Sequence, residues 1–280
     1  MDDPNKDFML DAYLDALQVE AKSEKTIRLY RDILEKMLRE VGVSSSNVSA
    51  YHIRKFLSDE KARGLADSTI RQRYSTLSSY FGWLHRDGLI RVNPMSNICP
   101  PKVAKKVMET YSDIDMEKLK SGCKCLRDKC IVYLLKSSGC RISEITNLNR
   151  DDVDLVNRQF VVLGKGNKQR TAFMDVVTAS LLKKYLESRT DDIPALFVGL
   201  RKERLRPDGI RYMLKQLGKA VGVEHVHPHK FRRTEATELS KRGMPIQQVQ
   251  RFLGHERIDT TMRYVNIDQE DVRSNYRKLA

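Results

Sequence analysis

Two arginines, two histidines, a lysine and a tyrosine stand at punctuated positions in the second half of the chain. In Ser138-Gly139-Cys140-Arg141 a glycine break precedes an arginine at a helix start, where its side chain can join backbone N–H groups in meeting an anion. Just after Pro228, His229 and Arg232 lie three apart on one helical face. Leu253-Gly254-His255 follows, shortly before Thr260-Thr261-Met262-Arg263-Tyr264, and Lys165 occupies the tip of Gly164-Lys165-Gly166. Together these types make a coherent phosphoryl-transfer set. A phosphodiester under attack gains charge on its non-bridging oxygens, and planar guanidinium forks such as Arg141 and Arg232 stabilise that charge from two directions without a metal. A tyrosine hydroxyl is an adequate nucleophile once its proton is handled, and the phosphotyrosine it forms keeps the bond energy for the reverse reaction. Lys165 suits protonation of a leaving 5′ oxygen as general acid, while His229 and His255 suit hydrogen bonding to the phosphate or handling the tyrosine proton. No step calls for ATP, a metal or another cofactor.

These residues need a scaffold, and the periodicity supplies one. The first hundred residues read as short amphipathic helices: Ser23 caps a helix with Ile27, Tyr30, Leu34, Met37 and Leu38 before Gly42, and a third carries Ile53, Phe56 and Leu57 before Gly64. A fourth, capped by Asp67 or Ser68, sets Ile70, Tyr74, Leu77, Phe81 and Leu84 on one face and leaves Arg71 and Arg73 off it, where they could lie on phosphates. Between Asn93 and Lys106 the pattern breaks at Pro94, Pro100 and Pro101, and Lys102, Lys105 and Lys106 follow. The expected division is a helical domain over 1–92, a basic linker over 93–107 and a second domain over 108–280. In the second domain, strands over 158–163 and 169–174 flank the glycine-rich turn that holds Lys165 and Lys168. Helices are expected near 116–119, 126–135, 178–187, 207–220, 229–242 and 246–253. The fold class is therefore mainly α with a small β-sheet (α+β).

The 280 residues, 40% hydrophobic and 31% charged, suffice for a buried core and exclude disordered and collagen-like classes. The net charge of +14 is spread along the chain, a pattern suited to a polyanion bound across folded surface. No apolar run approaches the ~20 residues that span a bilayer, and the start, MDDPNKDF, is not a signal peptide, so the expected location is cytoplasmic. Cys99, Cys123, Cys125, Cys130 and Cys140 read as free thiols without a paired zinc knuckle. His225, His227 and His229 alternate, but Pro228 breaks the run, and no metal is expected there. Of eleven tyrosines, Tyr30, Tyr74, Tyr80 and Tyr133 fall on or beside apolar stripes. Tyr276 lies near the carboxyl end, but no histidine precedes it at matching spacing.

The ordered set resembles the tyrosine recombinase, or phage integrase, family, in its simple two-domain, Xer-like type. The matching boxes are GCRISEITNL (139–148), GKGNKQR (164–170), HKFRRTEAT (229–237), LGH (253–255) and TTMRY (260–264). The resemblance implies that Arg141, Lys165, His229, Arg232 and His255 are catalytic, that Tyr264 is the nucleophile and that Glu144 supports the site by orienting a basic partner. It extends to a helical core-binding domain through Ser23, Thr26, Tyr30 and Leu34. One departure is visible. Where the family usually carries His-Thr-Phe-Ala-Thr after the second arginine, Arg233 and Glu235 replace the histidine and the aromatic, which bears on local packing or a DNA contact.

The expected activity is site-specific recombination. Tyr264 would cleave one strand of duplex DNA, form a 3′-phosphotyrosyl link and rejoin a partner strand through a Holliday junction. Type IB topoisomerase-like nicking and rejoining, and a non-catalytic DNA-binding regulator, are the alternatives; the helical amino-terminal domain and the complete catalytic set argue against them. The family implies a homotetramer on double-stranded recombination sites in the nucleoid. The tail, Asp268 to Ala280, reads as an amphipathic helix with Val272, Tyr276 and Leu279, docking on a neighbouring protomer or on its own domain. The chain is expected to lack an arm-site domain, as do recombinases that resolve chromosome or plasmid dimers. Integration, excision or inversion of mobile DNA stay open.

Overall fold

A computed structural model describes residues 7–104, 109–164, 169–262 and 276–277. Lys105, Lys106, Lys165, Lys168 and Tyr264, and the tail beyond Asp268 apart from 276–277, lie outside the described residues. The chain divides into two compact units, Met1–Lys106 and Val107–Ala280.

The first unit is a bundle of α1 (Phe8–Val19), α2 (Glu24–Val41), α3 (Ala50–Ala62) and α4 (Asp67–Arg86). Side chains set the starts of three of them. Asp7 accepts from Met9 and Leu10 N–H, Ser23 accepts from Thr26 N–H, and Ser49 and His52 bond each other's backbone. Helix α4 instead follows Ala66, so Asp67 is its first residue rather than its cap. The apolar stripes converge as their spacing requires: Leu34, Met37, Ile53, Phe56, Leu77, Phe81 and Leu84 are buried in one core. Tyr80 is buried with them, its hydroxyl 2.6 Å from Ser45 Oγ.

The proline-rich segment after α4 lies against this bundle. Met95 is buried in its core, Tyr74 Oη donates to the Ile98 carbonyl at 2.8 Å, and Arg71 Nη1 donates to the Pro101 carbonyl at 2.9 Å. Arg73 turns inward to Glu60, 2.5 Å away, and lies over the Phe56 ring. Lys102 is exposed.

The second unit is mostly helical around a three-stranded antiparallel sheet in the order β1 (Val153–Asp154), β2 (Gln159–Leu163), β3 (Gln169–Phe173). Gln159 pairs with Phe173 and Leu163 with Gln169, so β2 and β3 run antiparallel in register along their full lengths. Phe160 and Val162 are buried while Val161 and Leu163 are exposed, the period-2 alternation of a sheet with one covered face. Around it stand α5 (Asp113–Ser121), α6 (Leu126–Ser138), α7 (Ile142–Asn147), α8 (Val176–Glu187), α9 (Pro207–Val221), α10 (Pro228–Lys241), α11 (Ile246–Leu253) and α12 (Ile258–Met262). The core joins Leu119, Ile131, Leu135, Ile145, Phe160, Ala172, Leu182, Leu214 and Phe231. Among the described residues no helix is long and apolar enough to cross a membrane.

Candidate active site

Helix α7 is six residues long, too short to persist by itself. Both its ends are tied. At the start, Glu144 Oε2 accepts from the Arg141 N–H at 2.8 Å; at the finish, Arg204 Nη1 donates to the carbonyls of Thr146 and Leu148, each at 2.9 Å. Arg141 thus begins the helix at a fixed position, preceded by Gly139 in the left-handed region at φ +56°. A Cβ there would lie 2.8 Å from Leu253 Cδ2, so the glycine permits both the turn and the approach of α11.

Helix α10 starts at Pro228, whose missing N–H is no loss at a first helical position, and His227 Nδ1 accepts from Lys230 N–H at 3.2 Å. One turn separates His229 from Arg232. His229 is exposed, whereas Arg232 is almost wholly buried.

The last turn of α11 brings the arginines together. A helix end leaves carbonyl oxygens without intrahelical donors and carries partial negative charge. Here three consecutive carbonyls each receive a different arginine. Arg170 Nη1 donates to Phe252 O at 2.9 Å, Arg232 Nη2 to Leu253 O at 2.6 Å and Arg141 Nη2 to Gly254 O at 3.3 Å. Arg232 Nη1 also donates to Gly139 O at 2.7 Å. Gly254, at φ +67°, leaves room for Arg170: a Cβ would stand 2.6 Å from its Cδ and Nε. His255 follows directly, buried, with Nδ1 2.8 Å from Thr261 Oγ1 on α12.

Glu144 supplies the balancing charge. Its buried carboxylate accepts from Arg141 Nη1 at 2.8 Å and from Arg170 Nη2 at 2.7 Å. Burial pushes its pKa up, but Arg170 and the bonds from Arg141 outweigh burial and hold it below the usual carboxylate range. Desolvation, then the charges of Arg232, Arg141 and Arg170, depress His255 to about 3. Burial, then the charges of Arg232, Arg233 and Arg141, lower His229 as well, so both imidazoles are neutral at pH 7. Burial and Arg141 bring Arg232 down to about 10, still a cation at neutral pH. Among the described residues the cluster therefore holds three guanidinium groups, one carboxylate and two neutral imidazoles. That balance favours an added anion, and Arg141, with a third of its side chain exposed, is open to solvent.

Five of the residues expected from the sequence thus meet in one place: Arg141, Glu144, His229, Arg232 and His255. Arg71, Arg73 and Lys102 belong to the first unit and take no part in this cluster. Glu235, the departure in the His-x-x-Arg box, is buried and accepts from Lys136 Nζ of α6 at 2.5 Å, which makes it a packing element between α6 and α10. Arg170 is the residue that sequence reasoning passed over. Its position in GKGNKQR was the available signal, but its partners come from segments 26 and 82 residues away.

Comparison with known proteins decides the family. The phage integrase family model matches residues 102–271, and that of the phage integrase N-terminal SAM-like domain matches residues 10–88. The chain belongs to the phage integrase family. Within that family it is 30% identical to tyrosine recombinase XerC of Thermodesulfovibrio yellowstonii, over 98% of this chain and 96% of the relative. The crystal structure of XerA recombinase aligns with a TM-score of 0.56 and 26% identity, covering 96% of this chain and 97% of that one. The Tn1549 transposon integrase, solved in complex with transposon right end DNA, shares the fold at a TM-score of 0.80. It is 19% identical, with 97% of this chain and 99% of that one covered. This integrase-family chain is a tyrosine-type site-specific recombinase.

Proposed function

We propose that the chain cuts and rejoins duplex DNA at specific sites with Tyr264 as nucleophile and Arg141, Arg232, His229, His255 and Lys165 as its catalytic partners. The phenolic oxygen of Tyr264 attacks the scissile phosphorus, the P–O5′ bond breaks, and a 3′-phosphotyrosyl link remains. Arg141 and Arg232 hold the non-bridging oxygens as negative charge builds on them. His229, neutral and open to solvent, has the protonation state to take the tyrosine proton, and the Lys165 ammonium donates a proton to the leaving 5′ oxygen. The reverse reaction on a partner strand passes the DNA through a Holliday junction.

The observation that carries this reading is the arginine cluster on the α11 carbonyls, with neutral histidines beside it and one carboxylate set against three cations. A phosphodiester supplies the missing negative charge. Arg71 and Lys102, with Lys105, Lys106 and Lys168, grip phosphates elsewhere; Arg73 is left out of this set because Glu60 holds it within the bundle. Four protomers act on two double-stranded sites, with the tail beyond Asp268 docking in trans, and the protein works on the nucleoid in the cytoplasm. Dimer resolution fits this organisation, with mobile-element integration or excision as the other role.

The test uses a nicked duplex carrying the protein's site, found by selecting bound duplexes from a random pool. Wild type should trap a covalent adduct, and Tyr264→Phe should still shift the duplex but trap none. Exchange of strands between two labelled sites is the outcome expected of a recombinase; adducts and supercoil relaxation without exchange would contradict it.

A further inference from the structure

Arg170 has no role in the proposed cleavage chemistry, yet it bonds to three segments around the arginine cluster. It reaches in from β3, of which it is the second residue. Its guanidinium donates to Phe252 O on α11 and to Glu144 on α7, its Nη2 is 3.5 Å from Cys140 Sγ, and its side chain lies where a Gly254 Cβ would be. The side chain is 14% exposed.

We propose that Arg170 is a positioning residue for strand cleavage, fixing Arg141 through their shared carboxylate and tying β3 to the end of α11. The geometry gives the reason. Arg141 Nη2 is held by a 3.3 Å bond to Gly254 O, longer than the bonds of the other two arginines to α11, so its direction depends on Glu144. Glu144 in turn has its second oxygen shared between the Arg141 N–H and Arg170 Nη2. Without Arg170, the carboxylate loses one of the two guanidinium groups that fix its plane, the Phe252 carbonyl loses its donor and β3 loses its bond to α11. A planar fork is required, because one guanidinium must meet the carbonyl and the carboxylate in different directions. This inference rests on the recombinase reading of the site.

The charges that face Glu144 are Arg141 at the start of its own helix, Arg170 from β3 and Arg232 from α10, with neutral His255 and the Cys140 thiol beside them. Removing the Arg170 charge therefore raises the pH at which Glu144 takes up a proton and releases Arg141.

The experiment measures single-turnover adduct formation on the nicked duplex, together with duplex affinity and thermal midpoint, for the full chain carrying Arg170→Gln or Arg170→Lys. For Arg170→Gln, cleavage at saturating protein should fall about 10–100-fold, the scale of a misplaced reacting group, with affinity unchanged within about twofold. The acid limb of its pH–rate profile should move to higher pH. Arg170→Lys keeps the charge and loses the fork, so its acid limb should stay at the wild-type position while its rate stays below wild type. If Arg170→Gln does not fold, Arg170→Lys alone decides. Wild-type rate and wild-type pH profile in the folded variants would overturn the inference, as would a loss confined to thermal midpoint. Absence of an adduct with wild type would instead overturn the recombinase reading on which it stands.

Discussion

Glu60 in the first unit and Glu144 in the second are both buried carboxylates gripped by cations, and the two clusters serve different ends. Around Glu60, Lys36 of α2, Arg63 at the end of α3 and Arg73 of α4 close to 2.8, 2.8 and 2.5 Å. Arg63 also pairs with Glu40 at 2.8 Å. Charge there is nearly balanced, and the cluster ties three helices. Around Glu144, the three arginines share no second carboxylate among the described residues, and the helix-end carbonyls that receive them carry only partial charge. Buried ion pairs by themselves therefore do not mark a site. Surplus charge with an open face does, because burial of unbalanced cations is costly until an anion arrives.

The sharpest way to break this contrast is to delete one arginine from each cluster. Arg232→Ala should lower single-turnover cleavage by about 10²–10³, the usual effect of losing one preorganised donor to a developing oxyanion. Arg73→Ala should leave cleavage by folded protein unchanged and shift the urea midpoint. Equal loss of cleavage in both variants would erase the distinction. Neutralising the carboxylates is the next step down. Glu144→Gln should slow cleavage about 10–100-fold, by misorienting Arg141. Glu60→Gln should cost about 3 kcal/mol in urea unfolding, with no effect on cleavage by the folded fraction.

Two left-handed glycines give a finer comparison. Gly42 at φ +72° has nothing within 4 Å of a Cβ, whereas at Gly254 the Cβ would collide with Arg170. Both alanine variants should lose about 1 kcal/mol from backbone strain. Only Gly254→Ala should also slow cleavage, by about tenfold; an unaffected rate would show that Arg170 can shift freely.

The smallest effect is a pH slope. The folded pKa of His255 lies near 3 while the unfolded value is near 6.5, so between these values the unfolded chain binds the extra proton. Stability from this group is full above pH 6.5 and is lost as pH falls toward 3, with a slope of at most about 1.4 kcal/mol per pH unit. His255→Gln should flatten that part of the urea-derived stability profile.

What the sequence made legible follows from range. Helical stripes are local, so Ile27, Leu34 and Met37, or Ile70, Leu77 and Leu84, could be placed in a core from spacing alone, and each is buried. The hairpin was likewise legible from alternation on either side of its glycines, and its register follows from the same residues. Arg141, Glu144, His229, Arg232 and His255 could be named because each sits in a short box with its own punctuation. Arg73 and Arg170 could not be assigned, since both look like arginines on an element's outer side until a partner from another element is known. The same limit applies to the segment 93–101, whose prolines read as linker but whose Met95 and Ile98 pack on the bundle through contacts without a period. Glu235 shows the converse: a conspicuous substitution in a box resolves into a packing pair once Lys136 of α6 is seen beside it.

The central claim is that the arginine cluster presents one phosphodiester to Tyr264. The most direct measurement is to trap the wild-type protein on a nicked duplex, digest the adduct and locate the DNA-linked residue by mass spectrometry. The account predicts a single nucleotide-bearing peptide modified at Tyr264 through a 3′ phosphate; modification at Tyr276 or another residue, or a 5′ linkage, would contradict it.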